Sequence, residues 1–155
     1  MDFAQTATLE QVEGEIRRLE QEHFLSPREA QAVDARAILG LFASPLGKRM
    51  LQAPHMEREF HFSLLCEAGD FFPGAEGEQV LLQGVVDCFL EDADGITVID
   101  YKTDRVKTRA EAEARARVYT GQLRAYAAAL RRICQKPVKE CLLYFLHAGE
   151  TVAVR

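Results

Sequence analysis

Apolar residues recur in two different rhythms along this chain, and the change between them divides it. Leu9, Val12, Ile16 and Leu19 return at three- and four-residue intervals, the spacing that gathers side chains on one face of a helix. Thr8 followed by Gln11 has the form of a capping box, so a first amphipathic helix is predicted to about His23. Ser26, Pro27 and Glu29 repeat the signal as a cap, a proline at the first helical position and a closing glutamate. They open a second helix predicted to reach about Phe42, and "SPLGKRML" from Ser44 starts a short third one.

After residue 56 the period becomes two. Phe60, Phe62, Leu64 and Cys66 alternate with Glu59, His61, Ser63 and Leu65, which predicts a strand with one buried face. Glycines and a proline in "AGDFFPGAEGE" mark a loop. "QVLLQGVVDCFLED" is a long strand that "DADG" at 92–95 turns into "ITVIDYK", an antiparallel hairpin. Thr108 with Glu111 opens a helical region reaching about Cys134, ended by Lys136 and Pro137. "VKECLLYFLHAG" and "ETVAVR" give a last strand and a short partner. The order is three helices, three strands, a long helix and two strands, an α/β fold with a mixed central sheet flanked by helices. One domain is predicted over 1–155, with 1–53 a helical lead-in and 57–155 the sheet and its functional core.

Composition agrees with this picture and adds a charge asymmetry. The 155 residues, 48% hydrophobic and 28% charged, suit one globular domain with a real core. No apolar stretch approaches the roughly 20 residues that span a bilayer. The N-terminal "MDFAQTATLEQ" lacks the basic start and apolar run of a signal peptide. A cytoplasmic location without a membrane partner is therefore expected. Cys66, Cys88, Cys134 and Cys141 are scattered without metal-type spacing, and they read as reduced core residues, with no disulfide framework or iron-sulfur cluster expected. Net charge is −5, yet Lys102 to Lys139 holds eleven Lys or Arg against Asp104, Glu111 and Glu113. That segment is +8 and the remainder −13. A phosphate backbone could lie there, a solvated helix face being the alternative.

The candidate chemistry sits at "VIDYKTDR", residues 98–105, where charge gathers directly after an apolar run. Alternation along a strand projects Asp100 and Lys102 from one face and Tyr101 from the other. It places Asp87 on the face of Gln83 and Val85, and the hairpin then lets Asp87 and Asp100 face one another within reach of a common ion. Two close carboxylates repel unless something positive stands between them, and Mg²⁺ prefers hard oxygen ligands. A lysine beside that ion would meet a bound water or a phosphate oxygen. These are the parts that phosphodiester hydrolysis requires. Any one of them is compatible with a surface charge in a hairpin; the three in register point to chemistry.

These residues carry a resemblance. "GVVDCFLEDADGITVIDYKTD" resembles the GxxD…DYKTD core of the RecB-like branch of the PD-(D/E)XK nuclease superfamily, a restriction-endonuclease-like fold. "QLRAY" at 122–126 is similar to the QxxxY helix motif of that branch. "SPLGKRML", "EREFHF", "YTGQLRAYAAAL" and "LLYFL" fall in the order seen in the C-terminal nuclease domains of the AddA family of helicase-nucleases. The resemblance implies that Asp87 and Asp100 bind Mg²⁺, with Mn²⁺ as a substitute, and that Lys102 is the catalytic lysine. It implies that Gln122 and Tyr126 support the site from the helix. Their four-residue spacing puts them on one helix face, where core packing is the equal alternative for Tyr126. Glu59 lies on the polar side of its strand and could reach the metal or the lysine, a structural ion pair being the equal alternative.

The implied function is a metal-dependent DNA exonuclease domain that processes DNA ends for recombinational double-strand break repair. Its substrate would be linear duplex ends or an unwound strand. Its partners would be the helicase portion of the same polypeptide and an AddB-like subunit. No GxxxxGK[ST] loop occurs, so ATP chemistry is expected elsewhere. The family's Gly-Thr…His helix, whose histidine is a metal ligand, has no counterpart here, and the chain is expected to start just after it. His23 lacks the glycine context, and His55, His61 and His147 read as surface or packing residues. Two rival readings are a free-standing RecB-like exonuclease and a non-cleaving DNA- or partner-binding module with a degenerate site. The intact Asp87, Asp100 and Lys102 speak against the second.

Overall fold

The computed structural model describes residues 8–154. Residues 1–7, which begin the N-terminal stretch read above, and Arg155, the end of the last predicted strand, lie outside the described residues. The chain divides into two compact units, 1–52 and 53–155.

The first unit is helical. In α1 (Leu9–Gln21) Thr8 and Gln11 cap each other reciprocally. His23 ends the helix in a left-handed conformation, φ 61°. The Phe24 N–H then reaches back to the Leu19 carbonyl at 2.9 Å, and the His23 N–H to that of Glu20 at 3.1 Å, the paired bonds of a Schellman cap. The predicted second helix is two, α2 (Pro27–Ala32) and α3 (Ala35–Ala43). Asp34 is the reason: its carboxylate accepts the Arg36 and Ala37 N–H groups, both at 3.0 Å. A short polar side chain that bonds its own backbone opens a new helix rather than continuing the old one.

Ser44 caps α4 (Pro45–Gln52), its Oγ accepting the Gly47 N–H at 3.1 Å. At Gly47 the backbones of α3 and α4 all but touch, since a Cβ there would stand 2.1 Å from the Leu41 carbonyl oxygen and 2.6 Å from the Phe42 Cα. Alanine would gain about 1 kcal/mol of helix propensity, but the clash is with backbone, and forcing such packing apart costs about 1–3 kcal/mol. Gly47→Ala is therefore expected to destabilise the protein by about 1–2 kcal/mol net, read as a lowered urea midpoint in circular dichroism.

The second unit holds a five-stranded sheet in the order β1 (His55–Glu67), β2 (Gln79–Asp92), β3 (Gly95–Lys102), β4 (Val138–Phe145), β5 (Glu150–Val154). All neighbours are antiparallel except β3 and β4, so the sheet is mixed. Parallel neighbours need a crossover. It is supplied by α5 (Arg109–Ala116), a 3₁₀ turn (Arg117–Tyr119) and α6 (Thr120–Cys134), three pieces where the sequence predicts one helical region. Thr108 caps α5 through the Glu111 N–H, and α6 ends at a left-handed Gln135. At the β2–β3 turn Asp92 accepts the N–H groups of Asp94 and Gly95. α6 lies against β2, β3 and β4, closing a core that includes Phe62, Val86, Phe89, Val98, Leu123, Leu130, Leu143 and Phe145. Cys66, Cys88 and Cys141 are buried free thiols and Cys134 a half-buried one. Among the described residues no helix is long and apolar enough to cross a membrane.

Candidate active site

The site begins at an irregularity. β1 and β2 pair Arg58 with Cys88 and Phe60 with Val86 in one register, but the ladder skips Glu59 and Asp87 between them. Glu59 is left-handed there, φ 50°, a conformation that costs a non-glycine residue about 1–2 kcal/mol. Inside–outside alternation breaks at the same point. Val86 and Phe89, of opposite parity, both join the core, while Cys88 is hydrogen-bonded to Tyr101. Gln83 and Val85 remain with His61 and Ser63, Gln83 donating to Ser63 at 3.2 Å. Strict alternation predicts Asp87 in that company. The structure corrects it: the charge of Asp87 acts on Asp100 and Tyr126 instead.

The β2–β3 ladder stops at Cys88 and Ile99. One step further Asp87 and Asp100 stand across from each other, and the Asp87 carboxylate accepts the Tyr101 N–H at 2.9 Å. Asp100 is 2% exposed. Its Oδ2 lies 2.6 Å from Lys102 Nζ but has no directed hydrogen bond. Burial raises the Asp100 pKa most, the Asp87 charge raises it further, and Lys102 only partly opposes them.

From Lys102 a chain of contacts runs into α6. Nζ donates to Gln122 Oε1 at 2.9 Å, and Gln122 Nε2 donates to the Tyr126 hydroxyl at 2.9 Å. An ammonium can only donate, so the Gln122 carbonyl faces the lysine and its NH₂ the phenol. Burial pushes the Tyr126 phenol up, and the charges of Asp100 and Asp87 add to this. Tyr126 rests edge-on against Phe62, ring centroids 5.9 Å apart. Gly84, the glycine of GxxD, leaves room for that pair: a Cβ would come within 3.0 Å of Phe62 Cζ and 3.2 Å of Tyr126 Cε1. The opposite side of the ammonium meets Tyr119, whose ring centroid is 3.9 Å away. The Tyr119 hydroxyl donates to Asp104 at 2.9 Å, and Arg115 Nε donates to Asp104 at 2.5 Å. Burial works against the Asp104 charge, but Arg115 and Tyr119 outweigh it and hold the carboxyl below its ordinary range.

Of the residues singled out in the sequence, Asp87, Asp100, Lys102, Gln122 and Tyr126 come together. Glu59 does not join them: it is exposed and makes neither a hydrogen bond nor an ion pair with Lys102. Sequence reasoning passed over Asp104 and Tyr119 as parts of the site. The signals were present, since Asp104 closes DYKTD and Tyr119 precedes Gln122 by three residues. The basic segment is also less free than its count implies. Lys102, Arg109, Arg115, Lys136 and Lys139 are in ion pairs, with Asp100, Glu113 and Glu150, Asp104, Glu91 and Asp92 respectively. Arg105, Lys107, Arg117, Arg124 and Arg131 are exposed and carry no ion pair among the described residues.

Asp87 and Asp100 are the carboxylates on which a cation could rest. Among the described residues no group of three or more His, Cys, Asp or Glu side chains could hold a metal. A pair suits Mg²⁺, which keeps several waters and takes one or two carboxylates plus substrate phosphate oxygens. The buried acceptor Asp100 Oδ2, without a directed hydrogen bond, is what such a cation would satisfy.

Residues 3–153 match the family described as the PD-(D/E)XK nuclease superfamily. The chain belongs to that superfamily. Among its relatives are proteins named as the first of the subunits of an ATP-dependent helicase/nuclease. That of Desulforudis audaxviator (strain MP104C) is 37% identical over 158 residues, covering 100% of this chain and 13% of the relative. Those of Desulforamulus reducens and Geobacillus kaustophilus (strain HTA426) are 39% and 40% identical over 142 and 152 residues, covering 90% and 92% of this chain and 11% and 12% of theirs. The chain thus spans about an eighth of the length of these curated relatives. The superfamily match covers both compact units, so the helical residues before β1 fall within the nuclease match.

Proposed function

We propose that this chain is the Mg²⁺-dependent DNA exonuclease domain of an ATP-dependent helicase/nuclease, cutting phosphodiester bonds during DNA end processing for recombinational break repair. The observation that carries the reading is the buried Asp100 carboxylate. It lacks a directed hydrogen bond, and it is flanked by Asp87 on one side and by a lysine on the other. A structural ion pair would satisfy both partners fully; this arrangement leaves an acceptor for a cation.

Asp87 and Asp100 would hold the ion. When bound, a divalent cation supplies charge that polarises a phosphoryl oxygen and lowers the pKa of a water. Lys102, with three N–H donors, stabilises charge that develops on the phosphate and orients the attacking water. The water oxygen bonds to phosphorus, one P–O ester bond breaks, and the leaving oxygen takes up a proton. Gln122 keeps the ammonium from folding away, and Tyr126, lodged against Phe62 and Gly84, keeps the amide of Gln122 in place. The exposed cations Arg105, Lys107, Arg117, Arg124 and Arg131 offer phosphate contacts that carry no base preference. The relatives' names, each joining helicase and nuclease, support a DNA strand delivered by a motor in the same polypeptide, which would assemble with an AddB-like subunit.

Titration with Mn²⁺ monitored by electron paramagnetic resonance tests this reading, followed by cleavage of linear DNA with Mg²⁺ and with EDTA. Saturable binding and metal-dependent cutting are expected. Salt-sensitive DNA binding with neither metal binding nor cutting would overturn it in favour of a non-cleaving module.

A further inference from the structure

A lysine side chain is a flexible four-carbon stem carrying a point charge, with about 2 kcal/mol of rotamer entropy to lose before it acts in one place. In this protein the Lys102 ammonium is held from three directions: Asp100 at 2.6 Å, Gln122 at 2.9 Å, and the face of Tyr119 at 3.9 Å from the ring centroid. The three holds differ in kind. Asp100 is a carboxylate that the proposed cation would also use, so in the working state its grip on the lysine is shared. Gln122 contributes one neutral hydrogen bond. The ring attracts a cation from any angle over its face and does not compete with the cation for a lone pair.

The ring is itself fixed from behind. Its hydroxyl donates to both oxygens of Asp104, at 2.9 and 3.1 Å, and Arg115 pins Asp104 at 2.5 Å. Arg115 belongs to α5, while Tyr119 sits in the tightened 3₁₀ turn between α5 and α6. Mid-helix 3₁₀ turns often mark function, and here the turn brings the phenol over the end of β3. Asp104, two residues beyond Lys102, ties β3's exit to that turn.

We infer that Tyr119 is a positioning residue for the Lys102 amine, held in place by Asp104 and Arg115. This rests on the nuclease reading for its catalytic meaning, but the placement of the amine is measurable without activity. A cation over an aromatic face gives its neighbouring CH₂ protons an upfield ring-current shift. In a carbon-13 correlation spectrum of the lysine-labelled protein, the Lys102 ε-CH₂ signal is expected upfield of those of the other four lysines. It should return to their range in Tyr119→Leu, which keeps apolar bulk in a half-buried position, and stay near its place in Tyr119→Phe. Asp104→Asn, which leaves the ring intact, should move it part of the way.

In cleavage assays Tyr119→Leu should lower kcat about tenfold with KM little changed, the size of one cation–π contact. It should cost nothing further in a Lys102→Ala background. A Lys102 signal that is not upfield in the wild type, or that persists in Tyr119→Leu, would overturn the inference. So would an equal loss of rate in both backgrounds, which marks a structural role independent of the lysine. If Lys102→Ala itself cuts at the wild-type rate, the nuclease reading fails while the spectrum still decides where the amine is held.

Discussion

Lys102→Ala is expected to reduce DNA cleavage by about 10²–10³-fold, the loss that follows removal of one preorganised donor aimed at developing charge. The loss should appear in kcat at saturating DNA, in the intact protein. Metal binding is expected to move the other way. With the ammonium gone, Asp87 and Asp100 repel each other without compensation, so Mn²⁺ affinity measured by electron paramagnetic resonance should hold or rise. A variant that binds metal and does not cut separates the work of the lysine from that of the carboxylates. Wild-type cleavage by Lys102→Ala would refute its role.

The second large effect concerns stability and function in opposition. Asp100→Asn should abolish cleavage and metal-dependent stabilisation, yet melt at a higher temperature than the wild type when no divalent ion is present. The carboxylate is 2% exposed and its pKa is raised chiefly by burial, despite Lys102, so the ionised form costs folding free energy. The sign follows from proton linkage. The unfolded chain loses its Asp100 proton at the ordinary pKa, while the folded protein keeps it to higher pH. Wild-type stability therefore falls as pH rises between those two values, and the advantage of asparagine, full above them, disappears in acid. A divalent ion at a hundred times its dissociation constant should add about 2.7 kcal/mol to the wild type and nothing to the variant. Equal melting of both proteins with and without Mn²⁺ would show that Asp100 holds no metal.

The sheet and most of the site were legible in the sequence because both depend on short-range rules. Two-residue alternation and the DADG turn set Asp87 across from Asp100, and four-residue helical spacing brought Gln122 and Tyr126 to one face. Where a side chain competed with the backbone, the pattern misled. Asp34 looked like one more polar residue in a helix but starts a new one. Glu59 and Asp87 interrupt the alternation together, which no periodicity reveals, because each strand viewed alone is compatible with an unbroken ladder. Tyr119 escaped notice for another reason: its role depends on Asp104 and Arg115, eleven residues apart in the chain. The charge of the basic segment could be counted from the sequence, but its pairing with Glu91, Asp92 and Glu150 could not, since those acids come from other strands.

β2 is paired on both sides only from Cys88 to Asp92, while residues 79–86 are bonded to β1 alone. A two-stranded ribbon of this kind is marginal by itself and opens more readily than the strands behind it. In hydrogen exchange its outward amides should therefore trade with solvent well ahead of those in β3. That arm also carries Phe62 and Gly84, the footing of Tyr126. Each brief opening loosens Tyr126, then Gln122, then the lysine, so the tempo of the arm sets how long the amine stays aimed.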